Sequence, residues 1–282
     1  MYFENKMFCR LETEGCRYIP IVKSNRTRTP KESNMKVTAV IFSPTGNTEK
    51  YVTEMVQATG EMPEVINVTS RDSEERVFGP DKLVVFGAPV HGGLIPEIAA
   101  RRFSKFKGTR TPAVIVASYG NRHYDDALVQ MQDILSAQGF LPQGAAAVIG
   151  RHTFGEIQTD RPNAADLEEA RDFMKRLLAS ERKEEALALP GNRPYLAKGV
   201  KGRFRPQTKK ELCVGCGMCV RDCPVGAIAE DCATISEECI SCFRCIRHCP
   251  MKGKFADSDL YKQVAAMMTE KLAVPRPNEF YL

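Results

Sequence analysis

From about position 35 onward, apolar residues follow two alternating rhythms. VTAVIF (37–42), KLVVFGAPV (82–90) and TPAVIVASY (111–119) are apolar runs rich in β-branched residues, AAAVIG (145–150) is a shorter one, and EVINVT (64–69) is weaker. Runs of this length bounded by turn residues predict strands. Between them, TEKYVTEMVQAT (48–59) places Val52, Met55, Val56 and Thr59 at helical spacing. PEIAARRFSKF (96–106) opens on a proline suited to a first helical turn, and DDALVQMQDILSAQG (125–139) closes on Gly139. NAADLEEARDFMKRLLASE (163–181) is amphipathic at the helical period. Strands alternating with helices predict βαβ units: an α/β domain with a doubly wound, five-stranded parallel sheet over residues 35–181.

The flanking segments follow other patterns. Residues 1–34 have mixed polarity and no period, and are expected to be a disordered leader whose Cys9 and Cys16 have no function. Residues 182–207, with Pro190, Gly191, Pro194, Gly202 and Pro206, read as a linker. Residues 208–255 are a cysteine-rich segment, and 256–282 a helix followed by an extended tail.

Charge and composition narrow the classes. The chain of 282 residues carries a formal net charge of +5. Arg193, Lys198, Lys201, Arg203, Arg205, Lys209 and Lys210 form a block without an acid. With no zinc-finger histidine pair and no RNA-binding aromatic signature beside it, this block reads as a solvated linker, and no nucleic acid is expected. No apolar run approaches the ~20 residues of a membrane span, and no secretory signal is recognisable. The expectation is a cytoplasmic protein, where clustered cysteines mean metal or redox chemistry rather than disulfides.

Doubly wound sheets bind ligands beyond the carboxyl ends of their strands. Three loops there stand out. SPTGNT (43–48) offers Ser43, Thr45, Asn47 and Thr48 as donors, with Gly46 for a curled backbone and a helix N-terminus behind it. It suits a terminal phosphomonoester, since neither the Walker lysine nor the dinucleotide glycine pattern is present. GAPVHGGLIP (87–96) carries Gly92 and Gly93, which would let a flat ligand approach the backbone. SYGNRHYDDAL (118–128) brings Tyr119, His123 and Tyr124 beside Gly120.

These three loops resemble those of the flavodoxins: a phosphate loop of pattern [ST]-x-T-G-x-T and two loops that flank an isoalloxazine ring. The resemblance covers about residues 36–180 and implies FMN. It assigns Ser43, Thr45, Gly46, Asn47 and Thr48 to the phosphate. Val90, His91, Gly92 and Gly93, with Tyr119, Gly120, Asn121 and Arg122, would flank the ring. His91 is a candidate proton donor beside the flavin.

The strongest signal is CVGCGMCVRDCP and its repeat CISCFRCIRHCP. Both follow C-x₂-C-x₂-C-x₃-C-P, the iron–sulfur run rather than a two-pair zinc site. The stretch 208–255 resembles the bacterial ferredoxins with two [4Fe–4S] clusters, a small α+β domain. That resemblance implies crossed ligation: Cys213, Cys216, Cys219 and Cys249 for one cluster, and Cys239, Cys242, Cys245 and Cys223 for the other. Cys232 lies outside both runs and reads as a small core residue.

In this order the halves resemble flavodoxin–ferredoxin fusion proteins of anaerobes. The resemblance implies electron transfer between FMN and two clusters, with redox proteins as partners. A flavin-dependent reductase of a small substrate and a redox-sensing module remain alternatives. The sequence does not specify an oligomeric state.

Overall fold

The computed structural model describes residues 9–10, 17–18, 36–60, 62–200 and 202–282. Apart from a short antiparallel pair, Cys9–Arg10 with Arg17–Tyr18, the leader and its expected disorder lie outside the described residues. Residues 35–282 form one compact unit, distinct from residues 1–34.

The sheet of that unit is built from β1 (Lys36–Ile41), β2 (Glu64–Asn67), β3 (Lys82–Pro89), β4 (Thr111–Tyr119), β5 (Phe140–Ile149) and β6 (Glu279–Tyr281). Its order is β6-β5-β4-β3-β1-β2. The first five strands are mutually parallel, in the 2-1-3-4-5 order of flavodoxin-like sheets. The central strand β4 is buried along its whole length, which explains its unbroken apolar sequence.

Alternate residues of the strands feed two cores. Helices α1 (Asn47–Gln57) and α4 (Ala164–Ala179) cover one face, where Tyr51, Val52, Met55 and Phe173 meet Ile41, Val85 and Val116. Helices α2 (Glu97–Phe103) and α3 (Ala127–Ala137) cover the other, where Phe103, Leu128 and Met131 meet Phe42, Phe86 and Ile115. The expected helix over 96–106 stops at Phe103, because Phe106–Gly108 instead forms a short parallel pair with Arg76–Phe78.

The expected five-stranded sheet gains a sixth strand. The tail strand β6 pairs antiparallel with β5. Asn278 locks it there: its side-chain oxygen accepts from Ile149 N (2.8 Å) and its amide donates to Asp166 (2.9 Å) and Glu169 (2.6 Å). None of this has a local sequence period.

The segment expected as a solvated linker is fastened down. The buried Asp126 carboxylate accepts from Asn192 N and Nδ2, Leu196 N and Ala197 N. Leu187 and Phe204 are buried, and Arg193 pairs with Asp133.

Beyond this strap lie two one-turn helices, α5 (Met218–Arg221) and α6 (Arg244–Arg247), and then α7 (Asp259–Lys271). Two arginines tie the cysteine segment to the sheet's carboxyl edge. The buried Arg102 guanidinium donates to Val68 O (2.8 Å), Thr69 O (2.7 Å), Pro224 O (2.9 Å) and Asp72 (2.7 Å). Arg244 donates to Asp222 O (3.1 Å) and Pro44 O (2.9 Å).

Hydrogen bonds from Lys105 and Arg102 hold the Asp72 carboxyl down at about 2. A carboxylate lowered in the folded state stabilises fully above its unfolded pKa, about 4, and loses that contribution as pH falls through its folded value. Arg102→Met should cost on the order of 3 kcal/mol, since three buried carbonyls lose their donor. It should also flatten the loss of stability between about pH 4 and pH 2. Urea unfolding across that range checks both, and an unchanged midpoint would refute the bracing role.

Candidate functional site

At the carboxyl edge of the sheet, between β1 and β4, a cavity of about 450 Å³ opens. Its walls come from the phosphate-type loop (Pro44, Thr45, Asn47), the loop after β3 (Pro89, Val90, His91), the end of β4 (Ser118, Tyr119, Gly120), the loop after β5 (Arg151, His152, Thr153) and Cys242.

The first loop is shaped as an anion cradle. Gly46 sits at φ 89°, a left-handed conformation that glycine adopts without strain, and α1 begins at the next residue. The N–H groups of Thr45, Gly46, Asn47 and Thr48 have no acceptor among the described residues. Ser43 and Thr48 do not reach the cavity. The Ser43 hydroxyl accepts from Glu49 N (3.1 Å), and the Thr48 and Ser118 hydroxyls share a 2.6 Å hydrogen bond. These two residues frame the loop rather than line it.

Two further polar atoms are buried without partners and belong to residues of this cavity: Tyr119 Oη and Arg151 Nε. Burial, with the Glu279 charge next in effect, pushes the Tyr119 phenol up to about 12. A phosphate in the cradle would satisfy the free N–H groups and the Arg151 Nε, so the residues present fit the phosphate of an FMN-like ligand, while the Tyr119 hydroxyl sits among the tail residues Glu279, Arg276 and Tyr281.

Several expected ring contacts have other roles. Gly92 and Gly93 do have positive φ, but they stay out of the cavity because the strap covers them. A Cβ on Gly92 would lie 2.7 Å from Gly199 C, and one on Gly93 2.8 Å from Ala197 Cβ. Asn121 is buried and holds the tail, donating to Leu272 O and Val274 O and accepting from Arg276 N, all at 2.8 Å. Arg122 is exposed and paired with Asp125. Gly120 does line the cavity, and a Cβ there would meet the His152 ring at 2.3 Å.

His91 lines the cavity, yet its imidazole is pushed down to about 4 by burial and then by His152. It is therefore neutral at pH 7. A neutral imidazole keeps one ring N–H that can donate. The contributions of Arg151, His152 and Thr153 were missed. They follow the last parallel strand, so the rule that ligands sit beyond carboxyl ends could have found them.

The thiols gather into two groups. Cys213, Cys216, Cys219 and Cys249 line one cavity of about 360 Å³, together with Cys232 and Lys254. Cys223, Cys239, Cys242 and Cys245 line another of about 330 Å³. Among the described residues no three His, Cys, Asp or Glu side chains converge as tightly as a single metal ion requires. The C-x₂-C-x₂-C-x₃-C-P spacing behind these sets fits an iron–sulfur cluster better than a two-pair zinc site.

The two runs are pseudo-equivalent in geometry. Left-handed residues precede each one-turn helix: Gly215 and Gly217 in the first run, Ser241 and Phe243 in the second. The two non-glycine residues are held by packing. Ser241 Oγ exchanges hydrogen bonds with Phe204 N and O, and Phe243 packs against Phe154 and Tyr261. Each fourth cysteine accepts a backbone N–H at 3.3 Å, Cys223 from Ala227 and Cys249 from Gly253. Burial pushes the Cys242 and Cys245 thiols up to about 12 and the Cys219 thiol up to about 11. Backbone N–H donors at Lys254, Gly253, Met251 and Lys252 outweigh burial at Cys249 and lower its thiol.

Residues 206–229 match the family described as 4Fe-4S binding domain. No curated protein sequence matches the chain. Among solved structures, a two-electron reduced flavodoxin from Megasphaera elsdenii is 19% identical, covering 48% of this chain and 97% of its own, with TM-score 0.31. A flavodoxin from Streptococcus pneumoniae is 14% identical, covering 51% and 97%, with TM-score 0.36. A Fusobacterium nucleatum flavodoxin mutant, bound to flavin mononucleotide, is 14% identical, covering 53% and 98%, with TM-score 0.36. Strand order makes the sheet domain flavodoxin-like, and the cysteine segment that follows it is of the 4Fe–4S ferredoxin type.

Proposed function

We propose that this chain is an electron-transfer protein holding one FMN and two [4Fe–4S] clusters, and that it links one-electron and two-electron redox partners. The observation that carries this reading is the position of Cys242. It lines the flavin-type cavity with Asn47, Val90 and Tyr119, and it also lines the thiol cavity with Cys223, Cys239 and Cys245. A cluster exchanges single electrons and a flavin exchanges two, so adjacent sites join the two regimes.

In this reading the N–H groups of residues 45–47 and the Arg151 guanidinium, whose Nη2 also pairs with Glu156 at 3.0 Å, hold the phosphate. Val90, His91, Tyr119 and Gly120 bound the ring. The domains are residues 35–181 for FMN and 208–255 for the clusters, joined by the strap. Cys242 is only 8% exposed, whereas Cys216 is exposed. The set containing Cys216 is therefore the outer one, where a redox protein exchanges electrons. Among the described residues no helix is long and apolar enough to cross a membrane.

Acid extraction from anaerobically purified protein should release FMN. FAD, or no flavin after reconstitution, would sink the assignment. Arg151→Met should weaken FMN binding roughly tenfold or more, the loss expected for one charge-assisted hydrogen bond. Flavin fluorescence titration of the apoprotein measures it. Turnover of a small oxidant without any protein partner would favour the reductase alternative.

Crossed ligation is tested by paired substitutions. Cys249→Ser with Cys213→Ser strikes one set and should leave one cluster. Cys249→Ser with Cys239→Ser strikes both sets and should leave none. Iron counts and EPR of the reduced variants distinguish them, and one intact cluster in the second pair would mean that each run ligates its own.

A further inference from the structure

Lys254 is 4% exposed, and its ammonium has no acceptor among the described residues. Burying an unpaired charge is costly, and natural structures pair it with an opposite charge or a ligand. Lys254 lines the cavity of Cys213, Cys216, Cys219 and Cys249. The carboxylate that feels its charge, Asp231, turns its oxygens to Ala233 N, Thr234 N and Thr234 Oγ1 instead.

The internal repeat shows that the fold does not require a lysine here. Each cysteine of the second run follows its counterpart by 26 residues. The correspondence continues past the fourth cysteine. Gly226 and Lys252 both have positive φ, and Ala227 and Gly253 both donate to a cysteine sulfur. The next pair is Ile228 and Lys254. Ile228 is buried and lines the cavity of Cys223, Cys239, Cys242 and Cys245. One cavity thus has a buried hydrocarbon where the other has a buried cation.

We propose that Lys254 is the counter-charge of the outer cluster site and raises the reduction potential there relative to the inner site that holds Ile228. This rests on the proposed pair of [4Fe–4S] clusters. Four thiolates leave such a cluster with a net negative charge, and reduction adds one electron with no bond made or broken. A fixed cation in a low-dielectric setting favours the more negative state.

The test is an EPR-monitored redox titration of the reconstituted full chain, with iron and flavin counts. Lys254→Ile copies the residue of the equivalent position. It should retain both clusters and shift at least one iron–sulfur midpoint to lower potential, while the flavin midpoint moves less. Lys254→Arg should keep the wild-type curve. Unchanged iron–sulfur midpoints in a fully loaded Lys254→Ile protein would overturn the proposal. If Lys254→Ile loses iron, retention in Lys254→Arg supports the need for charge, and loss in both overturns it. A wild-type protein with iron for fewer than two clusters fails the functional reading itself, whatever Lys254 does.

Discussion

Five backbone carbonyls from two distant parts of the chain converge on two guanidinium groups. Arg102 serves Val68, Thr69 and Pro224, and Arg244 serves Pro44 and Asp222. Buried carbonyls need donors, and arginine presents several in a fixed plane. Pro44 belongs to the phosphate-type loop, Asp222 and Pro224 flank Cys223, and Arg244 itself stands between Cys242 and Cys245. The same bonds that satisfy loop carbonyls therefore determine where the thiols stand relative to the sheet. An aromatic group of Phe154, Phe204, Phe243 and Tyr261 packs beside this seam and adds area without direction.

Elements whose stabilisation is local were legible in the sequence. The five parallel strands follow from apolar runs, the main helices from their period, and the two cysteine runs from their spacing, while their crossed grouping came only with the resemblance to ferredoxins. The sixth strand, the strap and the role of Asn121 were not. Each depends on partners remote in sequence: Asn278 with Ile149, Asp126 with Asn192, Asn121 with Leu272. Such contacts leave no period, because a single polar side chain carries them. Gly92 and Gly93 show a subtler failure. Missing Cβ atoms were read correctly as a close approach, but what approaches is residues 197–200 of the same chain rather than a ligand.

The two cysteine runs illustrate how context replaces composition. The first uses glycine at its left-handed positions, where the loop is exposed and little else could hold it. The second uses Ser241 and Phe243 at the same positions, at a steric cost. Burial against Phe204 and the aromatic group supplies the compensation, so the inner run is specified by packing and the outer run by backbone freedom.

Fastening of residues 182–207 bears on how such a protein must work. A flexible linker would let a cluster domain swing away from a flavin domain and carry electrons between distant partners. Here Asp126 gathers four donors from the strap, and Gln132, Gln143 and Asp133 hold Leu187, Lys183 and Arg193. With Arg102 and Arg244 on the other side of the seam, separation would expose several buried carbonyls and a buried carboxylate at once. The basic character of the strap is also partly neutralised, since Arg193 and Arg205 have acidic partners. The sheet and the cysteine segment are therefore held at a fixed separation, and Cys216 stays exposed.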